Sequence, residues 1–216
     1  MSDAAFLSRD DFSAEDFRAR AERWLAARDT EGIWQVGDHI VDPENTPPPV
    51  AHRLIGAAVL VPVVARDDGA TIILTRRTDH LTSHAGQVAF PGGKIDPEDA
   101  SPEAAALREA DEEIGLAADF IDPIGVLDAY LTNSGYHITP VLSVVRPGFR
   151  LTLNEGEVAD AFEVPLRFLM SPENHHRASR IFKGVERSFY EMPYGERYIW
   201  GVTAGILRQV YERLYR

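Results

Sequence analysis

The chain of 216 residues has no cysteine, few basic residues for its acid content and no long apolar run, and each shortage removes a class of function. Without cysteine there is no disulfide framework, thiolate zinc site, iron–sulfur cluster or thiol nucleophile. With 22 Lys and Arg against 34 Asp and Glu, a formal net charge of −12 lacks the clustered cations from which nucleic-acid binders draw affinity. The longest apolar run, 54–65, contains Pro62, is too short to span a bilayer and lies too late for a signal peptide. The opening MSDAAFLSRDDF has no basic leader. The expectation is one soluble, cytoplasmic domain with an extension, acting on a small molecule, with neither nucleic acid nor membrane as partner and a homodimer left open.

What is present reads as a mixed fold. Phe17, Ala21, Trp24 and Leu25 recur at spacings of three and four within 14–28, which predicts an amphipathic helix, started by Ser13 and the acids that follow it. A polar stretch then ends in Asn45-Thr46-Pro47-Pro48-Pro49, whose prolines cannot join a helix or a central strand. The predicted organisation is a helical extension with a Pro-rich linker over 1–49 and a catalytic domain over 50–216. Apolar runs at 57–65 and 71–76 flank Arg66-Asp67-Asp68-Gly69, a hairpin signal, and a short strand at 87–90 is halted by Pro91-Gly92-Gly93. Ser101-Pro102 and Gly115 bracket a helix over 102–114. Strands are further expected at 124–130, 137–145 and 198–203, and helices at 166–170 and 204–214, with Tyr198 and Trp200 in the core. Lacking the regular alternation of a doubly wound fold, this pattern predicts an α+β domain with a mixed sheet.

The negative charge is concentrated. Between Lys94 and Gly115 eight acidic side chains face two basic ones, which is half of the net charge. At 100° per residue Glu109, Glu112 and Glu113 share one arc of the predicted helix, while Leu107, Ala110 and Ile114 occupy another. A solvated acidic face has the same pattern, because like charges at i,i+4 cost only about 0.2–0.5 kcal/mol per exposed pair. Covered by a cleft, these carboxylates would instead call for a divalent cation, and oxygen-only donors suit Mg²⁺ or Mn²⁺.

The segment Arg108-Glu109-Ala110-Asp111-Glu112-Glu113-Ile114-Gly115-Leu116 resembles the core of the Nudix box: Arg-Glu, an aliphatic, any residue, Glu-Glu, any residue, Gly, an aliphatic. The first half departs from the general box, with one extra residue between Gly93 and Arg108 and with Asp99 most nearly matching the usual glutamate. Upstream, Ile73-Leu74-Thr75-Arg76-Arg77-Thr78-Asp79-His80-Leu81 and His84-Ala85-Gly86-Gln87-Val88-Ala89-Phe90-Pro91-Gly92-Gly93 resemble the signature of the coenzyme A pyrophosphatase branch of that family. The resemblance runs from Ile73 to Leu116, and Glu157-Val158-Ala159, 162–166 and Ile199-Trp200-Gly201 are also similar.

The resemblance implies a Nudix-type α/β/α sandwich with a mixed sheet and a catalytic loop-helix-loop. It implies a hydrolase that cleaves the diphosphate of coenzyme A, or of its acyl or oxidised forms, to 3′,5′-ADP and 4′-phosphopantetheine or its derivative. Glu109 and Glu113 would be metal ligands, Glu112 a ligand or proton acceptor, and Arg108 the partner that holds Glu112. Gly92 and Gly93 would let the backbone approach the diphosphate. Arg76 or Arg77, with His84 and His80 nearby, would supply cations for the phosphorylated substrate, although strand alternation lets only one of the two arginines face the cleft. Glu157, in the Asn-Glu-Gly-Glu loop beside Glu155, is the candidate general base. The alternatives are a Nudix enzyme for ADP-ribose or nucleotide sugars, which share the diphosphate chemistry, and a Nudix-like sensor that binds a nucleotide without cutting it.

Overall fold

The fold rests on a computed structural model that describes residues 12–28, 36–44, 54–81, 84–182 and 184–216. The expected linker at 45–49 lies outside the described residues, and so does the boundary placed there.

Two long parallel strands, β2 (Ile55–Val64) and β8 (Tyr136–Val145), form the centre of a nine-stranded mixed sheet. On one side of them β8 pairs antiparallel with β6 (Ile121–Val126) and β7 (Tyr130–Leu131), and β7 pairs in parallel with the short β1 (Val36–Gly37). On the other side β2 pairs with β3 (Thr71–Arg77) and β5 (Gly92–Lys94), and β3 with β4 (Val88–Ala89) and β9 (Val158–Pro165). Helices cover both faces, so β2 is apolar almost throughout rather than alternating, which is the origin of the long apolar run in the sequence.

Side chains of the central strands divide into two cores. Ala58, Leu60, Val64 and Ile73 pack with α3 (Pro102–Ile114) on one face. Val61, Val63, Ile72 and Leu74 pack on the other with α5 (Gly201–Leu214), α1 (Ala14–Ala27) and the short α4 (Leu166–Leu169), the helix expected at 166–170, while a further short helix, α2 (Asp38–Val41), follows β1. The result is an α/β/α sandwich. The hydroxyl of Ser13 caps α1 by accepting from the amide of Asp16 at 3.0 Å, and Phe17 and Ala21 are wholly buried in the second core. The N-terminal helix therefore completes the sandwich.

Several sequence expectations are corrected. The hairpin after β2 pairs only at Val63–Ile72 and Val64–Thr71, because β5 takes over the same edge of β2 further back. The short strand β4 does end before Pro91-Gly92-Gly93, as expected, but the two glycines open a further strand, β5. The strand expected at 124–130 is divided between β6 and β7, with a register shift between Pro123 and Gly125. The strand expected at 198–203 ends at Trp200, where α5 begins. A second sheet of β10 (His176–Phe182), β11 (Val185–Tyr194) and β12 (Arg197–Trp200) had no counterpart for its first two strands, nor had β9. Most of β10 is exposed, so its side chains carry no inward-facing apolar pattern. Among the described residues no helix is long and apolar enough to cross a membrane.

Candidate active site

The site is built around α3. The hydroxyl of Ser101 accepts from the amide of Ala104 at 3.1 Å, Pro102 occupies the first turn, and Gly115 closes the helix in the left-handed region at φ 65°. Its sheet-facing residues Ala105, Ala106 and Ala110 are small, which lets the helix lie close to β2 and β5. That closeness carries Glu113 under the sheet edge, where it is only 3% exposed. The amide of Gly92 donates to Glu113 Oε2 at 3.2 Å, and Arg77 Nη1 lies 3.6 Å from Oε1.

Burial pushes the Glu113 carboxyl up to about 7; the Gly92 amide and Arg77 oppose this, while the charges of Glu109 and Glu157 add to it. Glu109 is likewise raised, first by burial, with Glu112 and Glu157 adding and Arg108 opposing. Close approach of the main chain requires Gly92, whose φ is 153°, whereas at Gly93 it is the movable end of Glu109 that lies close. A Cβ at Gly93 would stand 2.3 Å from Glu109 Oε1, and one at Gly92 would stand 2.4 Å from the carbonyl oxygen of Ala58.

Arg108 organises the outer part of the site. Its Nε and Nη2 donate to the two oxygens of Asp99 at 3.0 and 2.8 Å, and Nη1 donates to Glu109 at 3.1 Å and Glu112 at 3.0 Å. Nη2 also reaches the carbonyl oxygen of Lys94 at 3.2 Å, which ties the helix to the end of β5. The expected pair with Glu112 is present, but Asp99 holds the fork of the guanidinium and is itself held below the usual carboxylate range by it. Sequence reasoning gave Asp99 no role; its near match to the box glutamate was the available signal.

Among the described residues no three His, Asp or Glu side chains converge closely enough to hold a metal ion. Glu112 is turned out to solvent against Arg108, and Glu109 is also drawn to that guanidinium. The chemistry of the donors nevertheless suits a hard divalent cation. They are carboxylate oxygens only, and Glu109 and Glu157 both raise Glu113, so their charges share one neighbourhood and a cation there would relieve their repulsion.

The two arginines of β3 separate as the alternation required. Arg77 shares the α3 side with Ile73 and reaches Glu113. Arg76, across a register shift from it, lies within 3.5 Å of Asp79 and lines a cavity on the other side. Tyr198 and Trp200, expected in the core, line that same cavity, and Tyr198 is 46% exposed. His84 has φ 58°, and its Nδ1 is 2.9 Å from Gln87 Oε1 within its own turn. His80 and Glu155 are exposed. Glu157 is exposed too, its backbone carbonyl accepting from the amide of Thr78 at 2.9 Å.

Comparison with known proteins identifies the family. The NUDIX domain family matches residues 54–183. Proteins described as uncharacterized Nudix hydrolase NudL, from Yersinia pestis and Yersinia pseudotuberculosis, are 42% identical over 158 residues, covering 73% of this chain and 79% of theirs. Among solved structures, the NUDIX domain of Shewanella oneidensis NrtR complexed with ADP ribose is 17% identical, covering 89% of this chain and 97% of that one at a TM-score of 0.48. A Nudix hydrolase from M. smegmatis, RenU, is 24% identical, covering 53% and 71% at a TM-score of 0.45.

Proposed function

The chain belongs to the Nudix family, and from that premise we propose that it is a divalent-metal-dependent diphosphatase acting on coenzyme A or its acyl or oxidised forms. The products are 3′,5′-ADP and 4′-phosphopantetheine or its derivative, the metal is Mg²⁺ or Mn²⁺, and the enzyme works in the cytoplasm. The observation that carries the proposal is that the Ile73–Gly93 segment, with its coenzyme A branch pattern, meets the box helix through Arg77 and Gly92 on Glu113. We place the extension at 1–49 and the catalytic domain at 50–216.

The residues divide the work. When bound, a divalent cation supplies charge neutralisation at the diphosphate and lowers the pKa of a bound water. Glu109 and Glu113 would hold it, with Glu112 or Glu157 completing the set. Gly93, lacking a side chain, lets the Glu109 carboxylate lie against the backbone of β5. Arg77, 3.6 Å from Glu113, is placed to pair with a phosphate oxygen as it arrives. Glu157, on the loop before β9, has its charge close to Glu109 and Glu113 of α3, where it can take the proton of the attacking water. Arg108, locked by Asp99, fixes the position of Glu109 and Glu112.

Incubation with coenzyme A and Mg²⁺, with products resolved by mass, tests the proposal. Release of 3′,5′-ADP is expected; intact coenzyme A beside cleaved ADP-ribose would overturn it.

A further inference from the structure

A cavity of about 570 Å³ lies between β4 and the second sheet, bordered by Arg76, Arg180 and Arg197 with the rings of Tyr198 and Trp200. Its volume is that of a small-molecule site. Three guanidinium groups around one cavity are unexpected in a chain with net charge −12, and Glu196 is the one acidic side chain among the lining residues. Arg197 is matched by Asp160 at 2.5 Å and rests on the ring of Phe162 at 4.3 Å, so it has a structural partner. Arg180 is different: it is exposed on β10 and stands directly across from Arg187 on β11, a like-charge pairing that a sheet does not favour for its own stability. Among the described residues Arg76 has one ion pair, with the well-exposed Asp79 at 3.5 Å. The rings of Tyr198 and Trp200 are nearly parallel, with centroids 6.1 Å apart, and the Tyr198 hydroxyl donates to Glu191, which fixes its ring in place.

We infer that this cavity holds the phosphorylated nucleoside end of the substrate, with the purine against Trp200 and Tyr198 and the ribose phosphomonoester between Arg180 and Arg76. The inference rests on the coenzyme A reading for the position of that phosphate. Aromatic faces accept any base, whereas two guanidinium groups distinguish a dianionic phosphate from a hydroxyl. The path to the carboxylates is short. Arg76 and Arg77 are consecutive at the C-terminal edge of β3, where the cavity lies on one side and Glu113 on the other. A ligand bent around that edge has its nucleoside phosphate at Arg76 and its diphosphate at Arg77.

The test is equilibrium binding of 3′,5′-ADP, 2′,5′-ADP and 5′-AMP to the full chain, with coenzyme A cleavage followed separately. Wild type is expected to bind 3′,5′-ADP at least about tenfold more tightly than 5′-AMP and more tightly than 2′,5′-ADP, about 1.4 kcal/mol for each tenfold step. Arg180→Ala and Arg76→Ala should bring the ratio of 3′,5′-ADP to 5′-AMP affinity towards one, while Arg180→Lys keeps part of it. Arg180 is exposed, so these Arg180 variants should fold, which the unchanged thermal midpoint would verify. An undiminished ratio in folded Arg180→Ala, or no preference in wild type, overturns the assignment. If wild type cleaves coenzyme A but shows no preference, only the cavity assignment falls. If coenzyme A stays intact while the preference exists and depends on Arg180, the cavity assignment stands and the substrate reading falls.

Discussion

Two of the three long helices, α3 and α5, lie on opposite faces of the central sheet, are of nearly equal length and serve opposite ends. α5 turns Ala204, Ile206, Leu207, Val210 and Leu214 into the larger core, which it shares with Phe17 of α1. α3 offers the sheet mainly alanines and Ile114, and then buries a carboxylate, Glu113, in a position where α5 would place a leucine. One face gains stability by removing apolar surface from water; the other gives some of it up to hold negative charges close together. The lesson is that the acidity of this chain is not spread as a solubilising coat. Half of it is gathered between Lys94 and Gly115, and part of that half is forced out of water.

The sharpest way to break this contrast is Glu113→Gln. If the side chain serves function at the expense of the fold, turnover should fall by about three orders of magnitude, while the metal-free protein gains stability. The sign follows from the raised carboxyl. A group at 4.5 in the unfolded chain and about 7 in the folded one keeps its proton longer when folded, so stability is greatest below about pH 4.5 and is lost as pH rises to 7. At about 1.4 kcal/mol per unit, the loss is on the order of 3 kcal/mol. Urea denaturation of chelated protein at pH 5 and pH 8 should show this drop in wild type and a much smaller one in Glu113→Gln. A variant that was inactive but no more stable than wild type at pH 8 would mean that the buried carboxylate carries no penalty.

The opposite face predicts the opposite signature. Leu207 is wholly buried, and Leu207→Ala should remove about 3 kcal/mol by lost transfer energy and an unfilled cavity. Turnover per folded molecule should stay at the wild-type level, measured at low temperature where the variant remains folded. Loss of turnover without loss of stability would erase the distinction between the two faces.

How much of this was legible in the sequence also differs by face. α3 could be read almost to the residue, because Ser101, Pro102 and Gly115 mark its ends and its carboxylates repeat on one arc. Cover on both sides of β2 and β3 came only with the Nudix resemblance, although their nearly continuous apolar runs were the available signal. Alternation in β3 said that only one of Arg76 and Arg77 could face the carboxylates, but not which, since that depends on the sheet's placement against α3. Tyr198 and Trp200 looked like core residues because aromatic strand residues usually are; Tyr198 is exposed and Trp200 half-buried because they belong to the second sheet, whose strands β10 and β11 gave no clear alternating signal. Asp99 escaped because a loop, not a helical repeat, brings it to Arg108.

That last contact gives the smallest of the predicted effects and the finest test of how the acidic face is kept in order. Asp99 touches none of the reacting atoms in the proposed chemistry; it positions Arg108, which in turn holds Glu109 and Glu112. Asp99→Asn keeps the size of the side chain but can accept on only one atom and puts an amide donor against the guanidinium. Supports of this kind are worth about 10- to 100-fold in activity or metal affinity. The expected result is a loss of that size in kcat with KM for coenzyme A nearly unchanged, because the cavity and Arg77 are untouched. Asp99→Glu should recover most of it, since a longer carboxylate can still grip both Nε and Nη2. A merely structural role for Asp99 would show instead as a lower thermal midpoint, with kcat per folded molecule unaltered in both variants.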